Sequence, residues 1–219
     1  MLARFKQVLP LEFDDFSYEF KIVTTLFLLA LFAGIMQSGN PAEWATSVLD
    51  QIIKLAEQFG ADNPINLFSF ILVNNLIAVF SVIIGGIIFG ISPISSSIVN
   101  GYIIGIVAGG MIASDQGLEL LAGILPHGIM ELPALGLALA LGLSLGREFY
   151  AGIKNFFLLK SNKKTGWYIK FRLAFAPLEI RTIASLKFAW NIIVPLIVVS
   201  AIIEAVLTPE LISLVSKIV

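Results

Sequence analysis

The sequence predicts an all-α integral membrane protein: a polytopic helical bundle of about five transmembrane helices, one of them broken, with amphipathic helices at the interface. Three observations carry this. Hydrophobic residues make up 58% of the chain and charged residues 13%, whereas a soluble domain is about half apolar and about a quarter charged. The apolar residues fall in continuous runs rather than in alternation, so each run reads as a helix and not as a barrel strand. The charges are segregated: twelve of the 14 lysines and arginines precede the first run or lie between the fourth and the fifth. The whole chain, 1–219, reads as a single membrane domain.

The first span covers about 18–38, around the run IVTTLFLLALFAGIMQ. Phe16, Tyr18 and Phe20 form an aromatic collar, and Lys21 is placed to snorkel. Glu12, Asp14, Asp15 and Glu19 make the first residues too acidic for a signal peptide, so none is expected. An amphipathic helix follows at 41–59. Asn40 suits its N-cap, Pro41 its first position, Glu43 a capping box and Gly60 its end. Trp44, Val48, Ile52, Ala56 and Phe59 share one face, which suits packing on the bundle, a place at the interface, or a partner.

The second span, 66–91, carries Asn74 and Asn75 midway. The third, 95–114, has Asn100 near one end and places Gly101, Gly105 and Gly109 at intervals of four. That spacing lets helix backbones approach closely, within one bundle or between subunits of a homo-oligomer. The fourth, 117–146, repeats it with Gly136, Ala140 and Ser144 and with Gly142 and Gly146. This run is too long for one straight crossing. Pro126 lacks an N–H and disfavours helix at Leu125, so a break is expected near 125–126, leaving 117–125 as a half-helix or re-entrant piece.

The basic segment 147–182 reads as two amphipathic pieces joined by a turn at SNKKTG, an interfacial hairpin drawn to anionic lipid head groups. The bilayer accounts for its aromatics, so nucleic acid is not expected as a partner. The fifth span, 183–207, is interrupted by Asn191 and Pro195 and holds Glu204. The positive-inside rule then puts the N-terminus and the 147–182 segment in the cytoplasm and the C-terminus outside.

The sharpest signal is GILPHGIMELPAL, residues 123–135. It holds His127, the chain's single histidine, and Glu131 one helical turn later, flanked by Pro126, Gly128 and Pro133. Ionisable side chains within a span cost at least ~2.5 kcal/mol, so they face the bundle interior and find partners. His127 and Glu131 are therefore expected to lie near Asn74 or Glu204, with Asn75 a further member of the candidate polar site, as a proton-sensitive site or as a polar knot that fixes helix register. With no cysteine and one histidine the chain is short of zinc ligands, and HGIME is not HExxH, so no metal, no cofactor and no enzymatic activity are expected.

At these residues the chain resembles the stage II sporulation protein M family. ILPHGIMELPALGLALALGLSLG is similar to that family's proline-histidine-glycine, glutamate-proline and glycine-rich helix. LVNNL resembles its paired asparagines, IFGISPISSSIVNGYIIG its serine-containing turn and following span, and AIIEAVLTP its terminal glutamate-containing span. The resemblance covers about 66–146 and 190–210. It implies a polytopic protein that, in endospore formers, holds peptidoglycan-degrading partners at the membrane without being the hydrolase. The family also occurs where neither sporulation nor peptidoglycan exists, so that role does not transfer by resemblance. Two functions follow as expectations: a non-enzymatic scaffold or assembly partner, and alternatively a transporter, channel or permease with a polar site at the fourth helix.

Overall fold

The computed structural model describes residues 11–58, 63–159, 166–215 and 217. A 3-10 turn at Phe13–Phe16 leads into α1, Ser17–Met36, followed by α2, Glu43–Gln58, and α3, Pro64–Gly85. Then come α4, Ile91–Ala113, the long α5, Gly117–Leu158, and α6, Trp167–Phe188. A π turn at Ala189–Ile193 joins α6 to α7, Val194–Val215. Among the described residues all regular structure is helical, and five helical stretches are long and apolar enough to span a membrane.

α5 stands at the centre, packed against α1, α3, α4, α6 and α7. Its buried face, Ala134, Ala138, Leu141 and Leu145, meets Phe16 and Val23 of the first span and Val79 and Ile83 of α3. The other extensive contact joins α1 to α4. There the spacing by four is used inside the bundle. A β-carbon at Gly101, Gly105 or Gly109 would run into the carbonyl of Phe27, Leu31 or Ile35, so the two backbones touch along two full turns. The order of these pairs makes α1 and α4 parallel. Gly142 and Gly146 of α5 lie in the same way against Val82, Gly86 and Gly90, closing α5 on α3 and on the turn that follows it. That turn is left-handed at Phe89 (φ 54°) and Gly90 (φ 69°), which brings α4 back beside α3 within five residues.

Three expectations need correction. The fourth span is not broken near 125–126: α5 runs unbroken for 42 residues through Pro126 and Pro133, roughly 63 Å at ~1.5 Å per residue. Each proline costs one hydrogen bond, to the carbonyl of Ala122 or Ile129, but a full break in lipid would free many more backbone groups that need partners. The excess length stays packed on its neighbours, Gly123 against Ile212 of α7 and Phe156 against Phe171 of α6.

The second half of the basic segment is not a separate interfacial piece. Trp167–Val215 forms one helical stretch of 49 residues that continues into the fifth span. Pro195 has no N–H for the carbonyl of Asn191, and the chain passes this point as the π turn rather than as an interruption. Most of the SNKKTG turn lies outside the described residues.

α2 starts at Glu43, not at Pro41, so Asn40 is too far out to cap it. Its expected end at Phe59 and Gly60 lies outside the described residues. Ala42, Ala45 and Leu49 make its contact with Ala30 of α1 and Tyr102 of α4. Trp44 stacks on Tyr102 with ring centroids 5.2 Å apart. The Tyr102 hydroxyl in turn donates to Gln37 Oε1 at 2.7 Å.

Candidate functional site

α5 and α7 run antiparallel, and each presents polar residues to the other at intervals of four. On α7 these are Ser200, Glu204 and Thr208; on α5, Glu119 and Glu131 belong to one such row, with Gly123 against Ile212 fixing the register. Ser200 donates its hydroxyl to Glu131 Oε2 at 3.4 Å. Asn75 of α3 stands beside the same Glu131 side chain. Glu204, one turn beyond Ser200, stands within electrostatic reach of Glu131. Two carboxyl groups, an amide and a hydroxyl thus lie near one another where three apolar helices converge.

Asn74 does not join them. Consecutive helical residues point about 100° apart, so only one of two adjacent asparagines faces α5. Asn74 is exposed instead and lines a groove with Leu55, Phe70 and Ile77. His127 lies in α5 one turn before Glu131; its side chain lies outside the described residues. Pro126, Gly128 and Pro133 are ordinary positions of the continuous helix, Pro133 lining an apolar groove between α5 and α1. Asn100 is satisfied locally, donating to the Ser96 carbonyl at 2.7 Å. Farther along the seam, Glu119 Oε2 and Thr208 Oγ1 are buried with no hydrogen-bond partner among the described residues. Among the described residues no three His, Cys, Asp or Glu side chains converge as metal ligands.

A second polar cluster, at the other end of the bundle, escaped the sequence reading. Glu19 of α1 is buried at 3% exposure and pairs with Arg147 of α5. Arg147 also reaches Glu148 at 3.8 Å. Beside them Arg181 of α6 donates to the Asp15 carbonyl at 2.7 Å and to Ser144 Oγ at 3.4 Å. These bonds tie the start of the first span to α5 and α6. The signal was present: Phe16, Glu19, Val23, Ala30 and Gly34 recur with helical period, which places Glu19 on the buried face.

Five helical stretches long and apolar enough to cross a membrane, four of them packed around α5, define the fold of a multi-pass α-helical membrane protein. Residues 23–209 match the family described as Stage II sporulation protein M, and the chain belongs to that family. The match also takes in the 147–182 connection, where the sequence alone carried no nameable pattern. The chain is 30% identical over 145 residues, 66% of its length and 72% of the other protein, to one named "Uncharacterized protein MJ0793" from Methanocaldococcus jannaschii. No solved structure matches.

Proposed function

We propose that this chain is a non-enzymatic membrane scaffold, an assembly partner that presents a docking helix on a rigid five-span platform, with its N-terminus and basic connection in the cytoplasm. The observation that supports the scaffold reading best is α2. One side of it is pinned to α1 and α4 through Ala45, Leu49 and the Trp44–Tyr102 stack, while Ile53 and Leu55 remain exposed beside Asp50 and Lys54. The glycine rows are used up within the bundle, so a partner, or a second copy of the chain, would meet other surfaces, of which α2 is the most amphipathic. Photocrosslinkers at positions 53 and 55 in native membranes test this against one at Phe32, exposed on α1. A discrete protein adduct from 53 and 55 alone supports docking; lipid adducts from all three positions contradict it.

The charge distribution supports the orientation: single cysteines at Glu57 and Ser216 should label from outside, and one at Lys163 should not. Labelling at 163 in intact cells reverses the assignment.

A transporter reading draws on a different observation, the Glu131–Glu204 juxtaposition, since paired intramembrane carboxyls mark proton and ion paths. Flux in proteoliposomes across a panel of ions and small metabolites, lost in Glu131→Gln, would establish it. Flux equal to that of empty liposomes removes it.

A further inference from the structure

One face of α3 is left open by the bundle. Asn74, Ile77, Ser81, Ile84 and, in the turn beyond the helix, Ile88 follow one another at steps of three, four, three and four. That is the a/d spacing of a left-handed coiled-coil seam, the common packing of spanning helices. All five residues are exposed, the three isoleucines by more than half. Two of the five are polar. Asn74 is the eleventh of the 22 residues of α3, about 15 Å from either end at ~1.5 Å per residue, and its side chain is too short to reach a head group from there. Ser69, nearby on the same helix, donates its hydroxyl to the Ile65 carbonyl at 2.8 Å; the Asn74 amide makes no such bond among the described residues. An unpaired amide in hydrocarbon is costly, so this face is built to be covered. Leu55 of α2 borders it on one side, leaving a groove of about 260 Å³ beside Asn74 with room for a neighbour's side chains.

We infer that the occupant is a second copy of this chain, in a homodimer whose two α3 helices cross along this seam with Asn74 against Asn74. Two copies that share one membrane and one orientation are related by a two-fold axis along the membrane normal. Such an axis makes the two α3 helices parallel and sets each residue on it at the depth of its own counterpart. An amide both donates and accepts, so it is complementary to itself, and the pair serves both side chains at once. A polar residue at an a position also fixes the register of a seam whose other contacts are interchangeable isoleucines. Ser81, seven residues on, places a second self-complementary group in the same row. The glycine rows do not supply this contact, because α1, α4 and α5 use them within the bundle. The inference does not rest on the docking role proposed for α2.

The chain has no cysteine of its own, so oxidative crosslinking of the full chain in native membranes tests this directly. Ile77→Cys, Ser81→Cys and Ile84→Cys should each give a disulfide-linked homodimer. Leu29→Cys, at an exposed position of similar depth on α1, should give none. Single-molecule photobleaching of the labelled protein in liposomes should show two steps. Asn74→Leu, at an exposed position, should keep the wild-type unfolding temperature in detergent and dimerise roughly tenfold more weakly, the strength of one interhelical side-chain hydrogen bond. Asn74→Gln, which keeps the amide, should recover most of that loss. The three α3 cysteine variants retain Asn74 and decide the matter even if Asn74→Leu fails to fold. Single-step bleaching at every protein density, crosslinking from Leu29→Cys as efficient as from α3, or dimerisation unchanged in a folded Asn74→Leu protein overturns the proposal. Bleaching in three or more steps overturns the two-fold pair, and α3 cysteines that link only to a different protein overturn the second copy as the occupant.

Discussion

The two principal seams of this bundle are built from opposite materials. Between α1 and α4 the contact is backbone on backbone: three glycines against three carbonyls, with Ser97 donating its hydroxyl to the Val23 carbonyl at 2.6 Å. Between α5 and α7 the contact carries Glu131, Glu204, Ser200 and Thr208. Lipid tails are as apolar as leucine, so helices in a bilayer associate through close packing and interhelical hydrogen bonds. The first seam uses both and needs nothing more. The second places carboxyls where apolar residues of similar volume would hold the helices at least as well. A group that costs stability and is nonetheless present points to a role other than holding the fold.

The largest effect expected is at Gly105. Leucine there would strike the Leu31 carbonyl, with the Gly34 Cα at 3.0 Å from the new β-carbon, and neither is a side chain that moves aside. Gly105→Leu should therefore cost more than ~4 kcal/mol, the exceptional range for one substitution, read as loss of monodisperse protein in detergent gel filtration. A well-folded Gly105→Leu protein would break the comparison on its structural side.

Arg147→Ala should follow. It strands the buried Glu19 carboxyl, at a cost of about 3 kcal/mol, the lower end for breaking a buried pair because the guanidinium is half exposed. Thermal unfolding in detergent measures it, and the further change Glu19→Gln should restore most of the loss. A double variant no better than the single one would mean that Arg147 holds α5 by some contact other than Glu19.

Ser97→Ala should cost about 1 kcal/mol, one buried interhelical hydrogen bond. A loss above ~3 kcal/mol would mean that the hydroxyl, not the glycine row, organises the seam. Smallest is Gly110→Ala. Its β-carbon meets nothing within 4 Å, unlike that of its neighbour Gly109, which presses on Ser38 and Ile35. It should raise stability by up to ~1 kcal/mol through helix propensity, whereas Gly109→Ala should lower it.

Hydropathy made the five spans legible because a continuous apolar run has one solution in lipid. The glycine spacing was legible as close packing, though not its partner helix, since Gly105 and Leu31 are far apart in sequence. Pro126 misled because its local preference against helix was weighed without the cost of opening backbone in a bilayer. The basic residues before Lys187 hid a helix that runs straight into the fifth span, for charge reads as a connection even when the backbone continues. At the site, Glu131 and Glu204 were legible as polar groups at depth. The choice between Asn74 and Asn75 was not, because two neighbouring asparagines look alike until the helix is rotated against its partners. Glu19 was hidden among acidic neighbours, one buried carboxylate in a stretch of exposed ones.

The account stands on the claim that the glycine seam holds the fold and the carboxyl seam does not. The double variant Glu131→Gln/Glu204→Gln tests it most directly, because both side chains keep their shape and can still hydrogen-bond while neither can ionise. Thermal unfolding in detergent, beside the wild type and Gly105→Leu, should give a midpoint equal to the wild type or raised, by up to about 1 kcal/mol of added stability. A fall approaching that of Gly105→Leu would contradict the claim and make the carboxyl pair a structural knot.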